Sequence, residues 1–199
     1  VFKGLMGYEG SMAKFASSFE ERKKAVHKSL GPLIETRDMI KSQGIAVETV
    51  SAGCTANWNI TGDYPGITEV QAGSYALMDV FHEYDGIQVK HALSVLTTII
   101  STPYEGKALA DVGQKGITFG AGGEMPKVKD IQGITVERLN VEHAHLTLSN
   151  PSRQIRVGDK IELYPYNCDA AANLYDKYYV VRKGKVIAEW EILGRGKSQ

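Results

Sequence analysis

Apolar and polar positions follow two different patterns along the chain, and the change between them falls near residue 90. Before that point, short apolar runs at residues 2–6 and 45–50 are typical of strands, and residues 18–42 are typical of an amphipathic helix. The apolar stripe of this helix is formed by Ala25, Val26, Leu30, Leu33, Ile34 and Ile40. The order strand, helix, strand predicts βαβ units with a parallel sheet.

Individual residues predict where the long helix begins, bends and ends. Ser18 followed by Glu21 fits a capping box at the start. Gly44 is well placed to end the helix, because glycine readily adopts the left-handed conformation of a C-terminal cap. The Gly31-Pro32 pair lies inside the helix, and we expect it to kink or divide the helix, because proline cannot donate a backbone hydrogen bond.

After residue 90 the pattern is that of a β-rich domain. Runs with many β-branched and aromatic residues are separated by Gly, Pro, Asn and Asp, which predicts strands joined by turns. The predicted strands are residues 91–101, 134–148, 160–164, 178–182 and 186–192, with a hairpin turn at residues 182–185. Such strands are typical of a barrel or a sandwich.

Glycine-bearing turns follow the strands of the first half, at Gly7, Gly53 and Gly73. In a βα barrel the functional loops lie at the carboxyl ends of the strands. Glycine lets backbone N–H groups approach an anion closely, and a Ser or Thr hydroxyl adds a donor. The candidate phosphate ligands are Ser51, Gly53, Thr55, Gly73 and Ser74. The alternative is plain turn chemistry, in which glycine only supplies a positive φ.

These patterns predict two domains. Residues 1–90 form a partial βα barrel with phosphate-binding loops, and residues 91–199 form a β-rich C-terminal domain. The fold class is therefore α/β plus β.

Composition and charge exclude several classes of protein. The chain has 199 residues with a formal net charge of zero, which argues against a nucleic-acid binder. No apolar run approaches the roughly 20 residues that span a bilayer, and no signal peptide is visible. Cys54 and Cys168 do not make a disulfide framework, so we expect a cytoplasmic protein. The chain begins with Val1, inside a predicted element, which favours a fragment or one piece of a longer chain.

A set of six motifs spans nearly the whole chain. They are residues 4–10, 51–55, 66–79, 111–115, 141–143 and 173–176, and the most specific contains Thr68-Glu69-Val70-Gln71-Ala72-Gly73-Ser74-Tyr75. In residue type and order these motifs resemble the D-threonine aldolase and D-serine dehydratase family of pyridoxal 5'-phosphate (PLP) enzymes, which have the alanine-racemase fold. The resemblance implies the C-terminal part of a PLP-binding (β/α)8 barrel followed by a mostly-β domain.

The resemblance also implies partners for this chain. Members of the family act as homodimers on small-molecule D-amino acids, with the β-domain of one chain closing on the barrel of the other. The lysine that binds PLP covalently lies on an early strand in the family, in a region that would precede Val1. No lysine here lies in a matching motif, so we expect a missing N-terminal half, from the same gene or a separate chain, to supply it.

Two residues are candidates for a catalytic role. The tyrosine of the family that matches Tyr8 lies beside the cofactor, and the alternative is that Tyr8 only packs over the barrel end. His143 matches the histidine of a glutamate-histidine pair in the family. In an alternating strand His143 and His145 would face the same side, and the alternative is that both are surface histidines. The family often has a histidine where Ser11 stands, which leaves the role of that histidine open.

A metal site is expected at Asn167 and Asp169 by the same resemblance. Many members of the family carry His-x-Cys or His-x-Asp here, two ligands for a divalent metal such as zinc or manganese. Asparagine offers only a neutral carbonyl oxygen, so we expect metal binding to be lost or weakened, although Asp169 can still help to bind a harder ion such as magnesium. Cys168 would point away from Asp169 in an extended stretch.

The resemblance favours a PLP-dependent lyase that cleaves D-3-hydroxy amino acids to glycine and an aldehyde, as D-threonine aldolase does. Dehydration of D-serine and racemisation are the alternatives within the family. A non-catalytic PLP-binding protein and a structural fragment are the alternatives outside it.

Overall fold

The computed structural model describes residues 1–10, 18–84 and 86–197. The chain forms two compact units: Val1–Ala76 with His82–Val89, and Leu77–Phe81 with Lys90–Gln199. The hydrophobic pattern does not indicate that Leu77–Phe81 packs with the second unit. Ser11, which takes the place of a histidine of the resembling family, lies outside the described residues.

The first unit is a parallel sheet with helices between its strands. Its elements are β1 (Gly4–Met6), α1 (Phe19–Ser42), β2 (Thr49–Ala52), α2 (Trp58–Thr61) and β3 (Glu69–Val70). The strands lie in the order β1-β2-β3, and both pairs are parallel. The βαβ order predicted from the sequence is therefore confirmed.

The predicted ends of α1 are confirmed. The Ser18 hydroxyl accepts a hydrogen bond of 3.3 Å from the Glu21 backbone N–H, which satisfies a free donor in the first turn. At the other end, Gly44 has φ +77°, the left-handed conformation that glycine adopts at low cost. No helix in the described residues is both long and apolar enough to cross a membrane.

Pro32 lies inside α1, which is continuous, so a division of the helix at Gly31-Pro32 is wrong, while a kink there stays a prediction. Proline removes one hydrogen bond, but packing compensates, because Leu30 on the same turn is buried in a cluster with Val26, Ala52 and Ile60. The Thr36 hydroxyl also donates a hydrogen bond of 2.7 Å to the Pro32 carbonyl. Tertiary burial therefore outweighs the local preference of proline.

The strand predicted at residues 45–50 begins later, at Thr49. The preceding residues connect the end of α1 to the sheet, and Ile45 among them is exposed. Pairing starts where the Lys3 carbonyl accepts hydrogen bonds from the N–H groups of Glu48 and Thr49. Apolar character alone therefore placed this strand too early.

The second unit contains a six-stranded antiparallel sheet in the order β6-β9-β4-β5-β8-β7. Its strands are β4 (Val95–Ser101), β5 (Lys107–Ala110), β6 (Lys127–Val128), β7 (Ile134–Leu139), β8 (Ala144–Leu148) and β9 (Lys160–Tyr164). Alternate residues of these strands form one buried apolar cluster that includes Ile99, Leu146 and Leu163. The β-rich second half is therefore as predicted.

The single strand predicted at residues 134–148 is two strands. β7 and β8 pair as an antiparallel hairpin, and the Asn140 N–H donates a hydrogen bond of 2.8 Å to the His143 carbonyl in the turn between them. The sequence predicted neither β5 nor β6. β5 reads Lys-Ala-Leu-Ala, which lacks the β-branched residues that mark strands, and β6 has only two residues.

After β9 follow α3 (Cys168–Ala172) and the strands β10 (Lys177–Arg182) and β11 (Lys185–Glu191). β10 and β11 form a two-stranded antiparallel hairpin. Lys183 and Gly184 in its turn both have positive φ, at +52° and +73°, as a two-residue hairpin loop requires. The predicted hairpin turn at residues 182–185 is confirmed.

Candidate cofactor-binding site

The loops after β1, β2 and β3 share one edge of the parallel sheet. The Gly7 N–H donates a hydrogen bond of 3.0 Å to the Ser51 carbonyl, and the Gln71 N–H donates one of 2.9 Å to the Ala52 carbonyl. These bonds extend the strand pairing to the carboxyl ends of the strands, where the three loops begin. The candidate phosphate ligands therefore lie on neighbouring loops.

Gly53 opens the loop after β2 in a conformation that favours glycine. Its φ is +87°, and an added Cβ would lie 2.9 Å from Val70 and 3.2 Å from Thr61. Its N–H donates a hydrogen bond of 3.1 Å to the Glu9 carboxylate. Gly53 thus shapes the loop, while its own N–H is engaged within the protein.

Thr55 joins the loops after β2 and β3. Its hydroxyl is buried and accepts a hydrogen bond of 3.0 Å from the Tyr75 backbone N–H. A hydroxyl has one hydrogen to donate besides the lone pairs with which it accepts. Thr55 can therefore bind an anionic oxygen without giving up the link between the loops.

Gly73 and Ser74 lie in the loop after β3. An added Cβ at Gly73 would meet no heavy atom within 4 Å, so space is open on that side of the backbone. Ser74 begins a single 3-10 turn, Ser74–Ala76, in which the Ala76 N–H donates to the Gly73 carbonyl. The exposed Gly73 and the half-buried Ser74 directly precede Tyr75 and therefore lie next to the Thr55–Tyr75 hydrogen bond.

Ser51 is engaged across the sheet instead of capping the strand end. Its hydroxyl donates a hydrogen bond of 2.5 Å to Glu69 and accepts one of 2.6 Å from the Gln71 amide. The one hydrogen of the hydroxyl is therefore directed to a carboxylate. In this arrangement Ser51 does not donate to a phosphate.

Tyr8 follows Gly7 and is 71% exposed. Partial burial raises the pKa of its phenol, and the neighbouring Cys54 and Glu9 raise that pKa further through negative charge. The phenol is therefore protonated at neutral pH and can donate a hydrogen bond. Tyr8 directly precedes Glu9, whose carboxylate accepts the Gly53 N–H at 3.1 Å, so the loop of Tyr8 contacts the loop that follows β2.

The residues of this edge fit a phosphate group. Thr55 supplies a hydroxyl hydrogen, Gly73 leaves the backbone accessible, and the phenol of Tyr8 lies near the same loop. Hydrogen bonds to a phosphate are charge-assisted, so a few such donors suffice for recognition. The donor set is compatible with PLP.

His143 does not lie in a strand, as the alternating pattern predicted, but directly precedes one. His143 is exposed in the turn before β8, whereas His145 lies within β8. A guanidinium nitrogen of Arg138 lies 3.4 Å from Nδ1 of His145, and the amide nitrogen of Asn140 lies 3.2 Å from Nε2 of His145. Partial burial, and then the Arg138 charge, lower the pKa of His145, which favours its neutral form.

The segment around Cys168 is not extended, so the expectation that Cys168 points away from Asp169 is wrong. Asn167 caps α3, since its side-chain oxygen accepts a hydrogen bond of 2.8 Å from the Ala170 N–H. Asp169 lies in the first turn of α3, and the Cys168 sulfur is 3.6 Å from its carboxylate. Among the described residues, no group of three or more His, Cys, Asp or Glu side chains could hold a metal ion.

The sequence did not single out two buried polar residues. Asp79 is fully buried and accepts a hydrogen bond of 2.7 Å from the Cys168 N–H, so it anchors the start of α3. Asn57, in the loop after β2, is also fully buried, and neither atom of its side-chain amide has a hydrogen-bond partner in the described structure. The sequence feature that could have indicated Asn57 is its position, because it is a polar residue directly after a turn of small residues.

Comparison with known sequences gives two matches of note. Residues 92–181 match a family described as "Putative serine dehydratase domain". The chain is 31% identical to 3-hydroxy-D-aspartate aldolase from Paracoccus denitrificans (strain Pd 1222), over 100% of this chain and 52% of that protein. The chain thus spans about half the length of the curated relatives that it matches.

Solved structures resemble the whole chain. D-threonine aldolase from Filomicrobium marinum superposes with a TM-score of 0.90 at 29% identity, covering 100% of this chain and 55% of that one. An alanine-racemase-like protein from Idiomarina loihiensis superposes with a TM-score of 0.81 at 26% identity, covering 97% of this chain and 56% of that one. The fold class predicted from the sequence is confirmed.

Proposed function

We propose that this chain, which is similar over its whole length to 3-hydroxy-D-aspartate aldolase and D-threonine aldolase, forms part of a PLP-dependent lyase that cleaves D-3-hydroxy amino acids. The products are glycine and an aldehyde. The observation that carries the proposal is the pair of neighbouring loops after β2 and β3, which the Thr55–Tyr75 hydrogen bond joins at the edge of the parallel sheet.

Thr55, Gly73 and Ser74 hold the phosphate of PLP in this proposal. Thr55 donates its hydroxyl hydrogen, and the loop at Gly73 lets the backbone approach the phosphate closely. Gly53 gives the first loop its shape through its positive φ, and Ser51 fixes that loop against β3 through Glu69 and Gln71. Gly53 and Ser51 therefore support the site without donating to the phosphate.

PLP, when bound, withdraws electrons from the α-carbon of an amino acid and so stabilises negative charge there. The phenol of Tyr8 has an ordinary pKa of about 10 and is protonated at neutral pH, and the upward shift of its pKa keeps it so at higher pH, so it can donate a hydrogen bond to an anionic oxygen of the cofactor. His143 is exposed in the turn before β8, so its imidazole is open to solvent. We assign to His143 the transfer of a proton between its imidazole and the substrate.

Asp169 is the candidate metal ligand, and Asn167 is its weak partner. The side-chain oxygen of Asn167 already accepts the Ala170 N–H, so coordination would have to share this oxygen. A carboxylate with an amide oxygen suits a hard ion such as manganese or magnesium better than zinc. Metal dependence of the activity is therefore expected to be weak.

The remaining half of the site comes from outside this chain in the same proposal. A missing N-terminal half, from the same gene or a separate chain, supplies the lysine that binds PLP, and two copies form a homodimer. Both cysteines of the chain are free, which supports a cytoplasmic location.

The test uses the complete protein, mixed with PLP and with D-threonine, D-3-hydroxyaspartate or D-serine in turn. D-threonine should give glycine and acetaldehyde, and D-3-hydroxyaspartate should give glycine and glyoxylate. A visible absorbance that disappears on reduction with borohydride, with PLP left attached to the protein, reports the lysine that binds PLP covalently. If the complete protein shows no such absorbance, the enzyme proposal is wrong. If manganese stimulates the wild type but not Asp169→Ala, the result supports the metal site. If neither added metal nor chelator changes the activity of the wild type, the result contradicts it.

Dehydration is the second candidate, because the family matched by residues 92–181 takes its description from serine dehydratases. Pyruvate and ammonia from D-serine, without glycine from D-threonine, would select it. Interconversion of the two enantiomers of an amino acid would select a racemase. PLP binding without turnover of any of these substrates would select a non-catalytic PLP-binding protein.

A further inference from the structure

Glu9 connects three elements of the first unit through a buried carboxylate, which is 2% exposed. Oε2 accepts the Gly53 N–H at 3.1 Å, at the start of the loop after β2. Oε1 accepts the Thr61 hydroxyl at 2.5 Å, at the end of α2. A carboxylate is retained in the interior when hydrogen bonds compensate its lost hydration, and both oxygens of Glu9 have such a bond.

Tyr8 directly precedes Glu9, so the contacts that fix Glu9 also restrict Tyr8. The Tyr8 ring lies against Gly10 and occupies the space that a side chain there would need, since an added Cβ would collide with the phenol oxygen. The phenol therefore lies folded over its own loop.

We propose that Glu9 is a positioning residue that holds Tyr8 at a fixed place relative to residues 53–55. Through this contact the phenol and the phosphate loop approach the cofactor as one unit. The contact itself is independent of the proposed function, and only its consequence for PLP binding rests on that function. Buried, two-point anchoring is what distinguishes Glu9 from the exposed carboxylates of the same sheet, such as Glu48, which pairs with Lys3 at the surface.

Cys54 reports on this contact without any cofactor. Burial raises the pKa of its thiol, the Glu9 charge raises that pKa further, and backbone N–H groups and the Arg22 charge lower it. Glu9→Gln removes the negative charge and weakens the hold on Gly53. The thiolate is the form that reacts with alkylating reagents, so both effects speed alkylation of Cys54.

The experiment measures the alkylation rate of Cys54 against pH in the complete protein, with modification sites read by peptide mass. For Glu9→Gln we expect the midpoint of the rate profile to move to lower pH and the rate at neutral pH to rise several-fold. Thr61→Val, which removes one contact and keeps the charge, should raise the rate less and leave the midpoint in place. Glu48→Gln is the matched control and should match the wild type.

PLP affinity, measured by titration of the same variants, tests the consequence. Loss of one hydrogen bond to a charged group weakens binding by about ten-fold, and we expect at least this rise in the PLP dissociation constant for Glu9→Gln. An unchanged Cys54 profile in Glu9→Gln overturns the positioning role, whether or not the protein binds PLP. A shifted profile with unchanged PLP affinity overturns the link to the cofactor. If Glu9→Gln fails to fold by circular dichroism, an unchanged Cys54 rate in folded Thr61→Val overturns the proposal.

Discussion

The Tyr75 backbone N–H donates a hydrogen bond of 3.0 Å to the buried hydroxyl of Thr55, and this bond joins the loops that follow β2 and β3. Because the hydroxyl keeps a hydrogen to donate, one side chain can both fix the two loops and bind an anion. The two roles are separable by experiment, since one affects stability and the other affects ligand affinity.

Thr55→Val keeps the shape of the side chain and removes its hydroxyl. The lost hydrogen bond leaves the part-buried Tyr75 N–H without its acceptor, so the free energy of unfolding should fall by about 0.5–1.5 kcal/mol. Urea denaturation measures this loss. The control is Thr36→Val, whose hydroxyl bonds to Pro32 on the exposed face of α1 and whose loss should cost less. Equal costs for the two variants would contradict a structural role of the Thr55 link.

Gly53→Ala tests the shape of the loop after β2. Its φ of +87° and the 2.9 Å approach of an added Cβ to Val70 both oppose a side chain. We expect a loss of about 2–4 kcal/mol in the free energy of unfolding, as strain at such positions costs about 1–3 kcal/mol before any clash. Gly44→Ala is the matched control, because Gly44 has φ +77° but no atom within 4 Å of an added Cβ. A smaller loss for Gly53→Ala than for Gly44→Ala would show that the clash is absent.

Asn57→Leu should stabilise the protein. The Asn57 side-chain amide is buried without a hydrogen-bond partner in the described structure, and such a group costs about 1–3 kcal/mol, which an apolar side chain of similar volume recovers. Thermal unfolding should therefore show a higher midpoint. Asn173→Leu is the comparison, since Asn173 accepts the Gly196 N–H at 2.9 Å and its replacement should bring no gain. A destabilised Asn57→Leu would mean that the amide is satisfied in solution.

Asp79→Ala should loosen the start of α3. Its carboxylate accepts the Cys168 N–H at 2.7 Å, so hydrogen–deuterium exchange should accelerate at residues 167–172. Asp111→Ala is the control, because Asp111 accepts the Thr98 N–H at 2.7 Å and its loss should affect β4 instead. Equal acceleration of α3 in both variants would indicate general destabilisation and not a specific anchor.

Much of the fold was predictable because local signals agreed with the tertiary structure. Ser18 and Gly44 define the ends of α1 through backbone hydrogen bonding that depends only on neighbouring residues. The failures have tertiary causes. Pro32 stays helical because burial of Leu30 and its neighbours outweighs one lost hydrogen bond, and no local pattern reports that packing.

The candidate site was predictable as a set of loops but not as a set of hydrogen bonds. Strand order brings residues 53–55 next to Gly73 and Ser74, as the tandem glycine turns indicate. The sequence could not assign the Gly53 N–H to Glu9 or the Ser51 hydroxyl to Glu69, because these partners lie 44 and 18 residues away. The buried anchor at Asp79 depends on a contact across 89 residues, which leaves no local signal.

The central claim is that this chain supplies the phosphate-binding loops of a PLP enzyme. The most direct measurement is a titration of the complete protein with PLP, for the wild type and for Thr55→Val, with inorganic phosphate as a competitor. We predict saturable binding that phosphate weakens, and a dissociation constant about ten-fold or more higher in Thr55→Val, since a hydrogen bond to a charged group contributes about 1.5–3 kcal/mol. Absence of PLP binding, or equal affinity and equal competition in both proteins, would contradict the claim.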